Sequence, residues 1–170
     1  KFDNRISIKI YLDGELPSEL RSFKNGLEEK LKDFKNTVGD RIEYTFINPN
    51  TGSEKDKEIL FDKLYNKGKG VLPMEVKYTK NAKETKMMLW PGAVLSFAKN
   101  GMPVETVVQL LPGTSPDRPF LLNQMPDVVE NGLNNLEYNL VSALRRLTTI
   151  ERKKIAFFML ENIPIQADPE

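Results

Sequence analysis

Arg5-Ile6-Ser7-Ile8-Lys9-Ile10-Tyr11-Leu12-Asp13-Gly14-Glu15-Leu16-Pro17 is the stretch on which the reading of the whole chain turns. Ile6, Ile8, Ile10 and Leu12 alternate with polar or amphipathic residues, the period of two that places one set of side chains on one face of a strand. Gly14 and Pro17 interrupt that strand. Behind them Leu16, Leu20, Phe23, Leu27, Leu31, Phe34 and Val38 recur at spacings of 4, 3, 4, 4, 3 and 4, a single apolar stripe at helical period. Ser18 is the predicted N-cap of this helix and Gly39 its stop.

Working outward, residues 41–47 (Arg-Ile-Glu-Tyr-Thr-Phe-Ile) predict a second strand, closed by Asn48-Pro49-Asn50. Ser53 and Asp56 stand at capping-box spacing and open a second helix carrying Ile59, Leu60 and Leu64. Lys67-Gly68-Lys69-Gly70 ends it. Strand, helix, strand, helix predicts a parallel β-α-β core with right-handed crossovers. The middle third turns antiparallel. Met74–Tyr78 and Lys86–Trp90 are short strands joined by a polar turn at 79–83. Ala93–Ala98 and Val104–Leu111 flank Lys99-Asn100-Gly101, a strong hairpin signal. Pro112–Pro119 is a proline-rich connection. A third helix is predicted from an N-cap at Asp127, with the stripe Val129, Leu133, Leu136, Leu140, Leu144 and Leu147. Lys153–Leu160, apolar on both faces, suits a buried strand. Residues 1–150 thus form one α/β domain. Residues 151–170 begin a following strand or a truncated second domain and end in a polar tail.

Composition narrows the chemistry. The chain has 170 residues with 25 basic and 24 acidic side chains, a net charge of +1, which lacks the basic footprint that binding nucleic acid requires. No polybasic segment faces an anionic membrane. The longest apolar run, Ile155–Leu160, falls well short of the roughly 20 residues that span a bilayer. Cysteine and histidine are both absent, so thiol nucleophiles, disulfides and imidazole-based catalysis or metal ligation are excluded within this chain. An enzyme built from it would rely on carboxylates, a lysine or a site completed by another subunit. The reading is non-catalytic, with no cofactor and no metal.

The element order resembles that of the thioredoxin-like fold, a three-layer α/β/α sandwich around a mixed sheet. The loop Leu12-Asp13-Gly14-Glu15-Leu16-Pro17 would replace the redox pair, which makes the domain redox-inactive. Pro91, or failing that Pro73, would take the fold's cis-proline position. A narrower resemblance lies in the strings Ile8–Pro17, Ile42–Pro49, Trp90–Val94, Leu136–Tyr138, Ala143–Thr148 and Lys154–Phe157. In that order they resemble the GldG-like auxiliary components of gliding-motility-associated ABC transporters. The resemblance implies a soluble region on the periplasmic side of the inner membrane, held by hydrophobic anchors outside this stretch. It also implies ABC transporter permease and ATPase subunits as partners. It carries over no catalytic residues. After Phe158 the chain departs from the pattern.

Several residues are candidates for partner or ligand contact. Asp13, Gly14 and Glu15 sit at the carboxyl end of the first strand, where open α/β sheets take ligands; two carboxylates there could bind a divalent cation or act as an acid/base pair. The plainer reading, which acidic residues near helix starts favour, is a polar turn before a helix. Trp90 and Pro91, next to Met87-Met88, are either an adaptable partner surface or core. Asp117 and Arg118 lie in the proline-rich loop. Gly68-Lys69-Gly70 lacks phosphate-loop spacing and reads as a helix stop; Arg145-Arg146 reads as a solvated helix C-terminus. The alternative to transporter docking is a periplasmic domain that grips a glycan or a peptide at the carboxyl ends of the strands.

Overall fold

The alternation around Ile8 and the stripe around Leu27 become a strand and a helix packed on each other. The computed structural model describes residues 5–39, 41–66, 70–80, 82–99, 101–111, 120–121 and 125–148. Its elements are β1 (Ile6–Ile10), α1 (Ser18–Val38), β2 (Ile42–Phe46), α2 (Glu54–Phe61) continuing into a π-helical turn at Asp62–Asn66, β3 (Met74–Lys80), β4 (Lys83–Leu89), β5 (Gly92–Lys99), β6 (Met102–Gln109), β7 (Phe120–Leu121) and α3 (Met125–Thr148). The predicted strand at Lys153–Leu160 and the connection Pro112–Pro119 lie outside the described residues.

Four strands make a mixed sheet in the order β2-β1-β5-β6. β1 and β2 are parallel, Ile6 opposite Ile42 and Ile10 opposite Phe46. β5 runs antiparallel to both β1 and β6. The strands predicted near 5–13, 41–47 and 93–98 therefore share one sheet. The hairpin predicted at Asn100-Gly101 is present, with Lys99 opposite Met102 and Gly101 at φ 78°.

The other predicted antiparallel pair, near 74–78 and 86–90, is present with wider bounds. β3 and β4 do not join the main sheet; they form a separate three-stranded sheet in the order β4-β3-β7. Nor do they stop short of a long polar turn, since pairing runs without a break from Met74–Leu89 to Lys80–Lys83. Thr79, Lys80 and Lys83, read as turn, are strand because one face of this sheet is solvated. There Lys77 meets Glu84 at 4.0 Å and Lys86 meets Glu75 at 3.4 Å, cross-strand pairs that suit a polar face. The other face turns Met74, Val76 and Leu89 into the core.

The main core lies on one side of the four-stranded sheet. Ile8, Ile10, Leu12, Ala93 and Leu95 meet Leu20, Phe23, Leu27 and Leu31 of α1 and Leu136, Leu140 and Leu147 of α3. The two helices run in the same direction, since Phe23 approaches Gly132 while Phe34 and Leu140 wall one cavity further along. A methyl group on Gly132 would stand 2.5 Å from the Leu110 carbonyl oxygen, so only glycine permits this approach. The opposite side of the sheet carries a smaller core of Tyr11, Val94, Trp90, Val71 and Leu64, with Leu60 against it.

Two helix starts differ from expectation. Pro17 is the residue preceding α1 and no side chain caps it; Ser18 lies already in the first turn, its hydroxyl donating to Glu19 at 2.8 Å. α3 starts at Met125, two residues ahead of Asp127, whose carboxylate sits in the first turn where the helix dipole favours it. The capping box of α2 is present, with the Ser53 N–H donating to Asp56 Oδ2 at 2.8 Å and the Asp56 N–H donating back to Ser53 Oγ at 3.3 Å. The Gly39 N–H closes α1 by donating to the Lys35 carbonyl at 2.8 Å.

Candidate functional site

The carboxyl end of β1 is built by a turn that its own sequence dictates. Gly14 takes φ 107°, a conformation that side chains strain against, and a Cβ there would stand 2.6 Å from the Asn48 amide nitrogen. The first strand's loop is thereby pressed against the loop that leaves β2. Asn48 is in turn fixed, its Oδ1 accepting from the Asn50 N–H at 2.9 Å.

Asp13 does not stand open to a ligand. Its carboxylate accepts from Lys24 Nζ at 2.5 Å, and the same ammonium lies 5.2 Å from the centre of the Phe46 ring. The hydrogen bond from Lys24, with a further one from the Gly14 backbone, holds the Asp13 carboxyl below its ordinary value. It is ionised at neutral pH and committed to a cation of its own chain, so the pairing of Asp13 with Glu15 as an acid/base couple finds no support in this geometry. Nearby, burial and then the charge of Glu105 push the Tyr11 phenol above its ordinary value, which keeps it protonated.

Glu15 is placed differently. It is exposed and walls two cavities, one on each side of the loop. The first, about 530 Å³, lies between the start of α1 (Leu16, Pro17, Ser18, Arg21) and the far end of β3 (Tyr78, Thr79). The second, about 400 Å³, lies between Asn48 and Asn50 on one side and Lys86, Met87 and Met88 of β4 on the other. The second sheet thus stands over the carboxyl end of the first, the place where open α/β sheets receive ligands.

The remaining sequence candidates do not gather here. Trp90 is 5% exposed, so it is core and not an open contact surface. Its ring packs edge-on to Phe61 at 5.4 Å, and Phe61 packs in turn on Tyr65 at 5.4 Å. Pro91 is buried beside it and its carbonyl accepts from the Leu110 N–H at 2.7 Å. No described residue follows a cis peptide bond, so neither Pro91 nor Pro73 takes the cis-proline position. Asp117, Arg118, Gly68 and Lys69 lie outside the described residues. Among the described residues no group of three or more acidic, histidine or cysteine side chains could hold a metal ion.

Sequence reasoning missed Lys24, Asn48, Asn50 and Lys86. Asn48-Pro49-Asn50 was legible as the end of a strand, but nothing in it announces that β4 comes to face it. Of the Met/Trp cluster, Met88 proves the exposed member, at 43%, while Trp90 is buried.

Among the described residues no helix is long and apolar enough to cross a membrane. A family model described as a domain of unknown function (DUF7088) matches residues 1–96, and the chain belongs to that family. No curated protein and no solved structure matches the chain.

Proposed function

We propose that this DUF7088 domain is a non-catalytic docking module, the periplasmic part of an auxiliary component of a gliding-motility-associated ABC transporter complex. Permease and ATPase subunits are its partners, and anchors outside this stretch hold it to the inner membrane. The finer fold belongs to the same proposal: a redox-inactive thioredoxin-like sandwich. The order β2-β1-β5-β6, with β1 and β2 parallel and β5–β6 an antiparallel hairpin followed by α3, supports it. So do helices on one side of that sheet and the Leu60–Leu64 segment on the other. In this reading β3, β4 and β7 are an addition to the sandwich.

The observation that carries the docking reading is the use made of the carboxyl end of β1. In a catalytic or small-ligand α/β domain, that end presents unpaired functional groups to a pocket. Here Asp13 is neutralised by Lys24, and a second sheet is laid across the loop with its own apolar face in the common core. What this end offers outward is the surface of the added sheet. Geometry adds a second support. α1 leads from the carboxyl end of β1 back to its amino end, and α3 runs parallel to α1, so Arg5 and Thr148 lie together at the end opposite the added sheet. A domain tethered near Arg5 or Thr148 would hold β3 and β4 away from the tether.

The test is a pull-down from membranes of the source organism with the purified domain as bait. Recovery of the permease or ATPase subunit of an ABC transporter supports docking. Recovery of neither, with a glycan raising the domain's melting temperature instead, overturns it in favour of the ligand-binding alternative.

A further inference from the structure

The cavity between β4 and the Asn48–Asn50 loop has a wall of a particular kind. Lys86, Met87 and Met88 are consecutive on one strand, and consecutive strand residues point to opposite faces. In register, Met87 lies opposite Val76 on the core-facing side, whereas Met88 lies opposite Glu75 on the solvated side. A cavity that touches all three therefore meets β4 along its edge and not on a face.

That edge is open among the described residues. β4 has β3 on one side and no strand on the other. Half of its backbone N–H and C=O groups point outward. Such edges are blunted by proline, a bulge, very short length, charged side chains or a covering loop. β4 carries charges at Lys83, Glu84 and Lys86, but at Met87–Leu89 it has none, and it runs seven residues, Lys83–Leu89, without proline or glycine, each residue pairing in turn with β3. Seven residues present an edge of about 23 Å at about 3.3 Å per residue.

The facing wall narrows the class of occupant. Asn48 and Asn50 supply side-chain amides, which donate and accept as peptide groups do. The charged groups at the cavity, Lys86 and Glu15, are one of each sign. No net charge selects an ionic ligand. Met88, 43% exposed, offers an adaptable apolar contact for one side chain. A backbone edge, facing amides and one soft apolar position suit a polypeptide strand.

We propose that this groove receives an extended peptide segment of a partner protein, which adds to β4 as a further strand through main-chain hydrogen bonds. The inference rests on the docking reading and deepens it by naming where the partner is held and in what conformation.

The experiment uses an immobilised array of synthetic heptapeptides probed with the purified domain. The tightest binder is then added in solution while amide exchange is followed by NMR. The groove predicts that alternate amides within Lys83–Leu89 slow by about tenfold or more on peptide addition. It also predicts that the same peptide, N-methylated at alternate residues, binds at least about tenfold more weakly, since each methyl group removes a donor from the ladder. The N-methyl comparison alters the ligand alone, so it does not depend on a variant domain folding. No binder on the array, protection elsewhere than β4, or equal binding of the N-methylated peptide overturns the proposal. So does a chito-oligosaccharide that perturbs the Asn48 and Asn50 side-chain amides while β4 exchange stays unchanged. Peptide addition to β4 together with a failed recovery of transporter subunits would sink the transporter partner and leave the groove standing.

Discussion

The two sheets of this domain are made of similar material and put to different use. In the four-stranded sheet, β1 and the two residues after it bury Ile8, Ile10 and Leu12 on one side and Tyr11 on the other, and β5 buries Ala93 and Leu95 on the first side and Val94 on the second. The second side is covered around Tyr11 and Val94, while Lys9, Glu43 and Thr45 on it stay exposed. The three-stranded sheet buries one side only, through Met74, Val76 and Leu89, and leaves Glu75, Lys77, Glu84, Lys86 and Met88 toward solvent. A strand buried on both sides is specified by its packing, and its substitutions register as lost stability. A strand with one solvated side and an open edge is free to carry recognition. The contrast teaches where stability and contact should separate under mutation.

The largest effect should come from the first region. Phe23 is 1% exposed and packs between α3 and the sheet. Phe23→Ala is expected to cost about 3–5 kcal/mol in urea unfolding, with the slope unchanged. A loss below 1 kcal/mol would break the claim that this side of the sheet holds the fold. Next is Gly132→Ala, where the added methyl group meets a backbone carbonyl that cannot rotate away. It is expected to cost about 1–3 kcal/mol by overpacking. Thermal unfolding checks it, and an unchanged Tm would mean the helices separate easily.

A smaller effect belongs to the junction between the regions. The Asp13 carboxyl is held below 3.8 by Lys24, so its stabilisation is present above that value and is lost as pH falls through the lowered one. Asp13→Asn should therefore lower stability at pH 7 and converge with the parent in acid, as pH falls through the lowered Asp13 value. The pair is partly exposed, so the difference at pH 7 should stay below about 1 kcal/mol. Equal stability of the two proteins at every pH would show that the pair contributes nothing. Smallest is Met88→Ser on the second sheet, expected within about 0.5 kcal/mol of the parent. Its consequence should appear in peptide binding. A loss of several kcal/mol would mean that Met88 is packed and not presented.

Local pattern carried the first sheet into view. The alternation of Ile6, Ile8 and Ile10 and the stripe from Leu20 to Phe34 each encode a period that only one element satisfies. The Ser53–Asp56 box and Asn100-Gly101 likewise act through neighbours in sequence. What escaped depends on distant pairing. The extension of β3 and β4 through residues that look like a turn follows from cross-strand contacts such as Lys86 with Glu75, which no single segment displays. That these strands form a sheet of their own goes with the burial of Met74 and Leu89 in the same core as Leu12 and Leu16. Asp13 and Glu15 looked alike as sequence. Lys24, one helical turn past Leu20, separates them by pairing with Asp13, while Glu15 stands at the cavity walls.

The most direct test of the division between a structural sheet and a presenting sheet is photo-crosslinking in native membranes. A benzophenone side chain is placed at Met88 on β4 or at Tyr138 on α3, which is 74% exposed. The account predicts covalent adducts with an ABC transporter subunit from Met88 and none from Tyr138. Adducts from Tyr138 with none from Met88 would contradict it, and would move the contact surface to the helices.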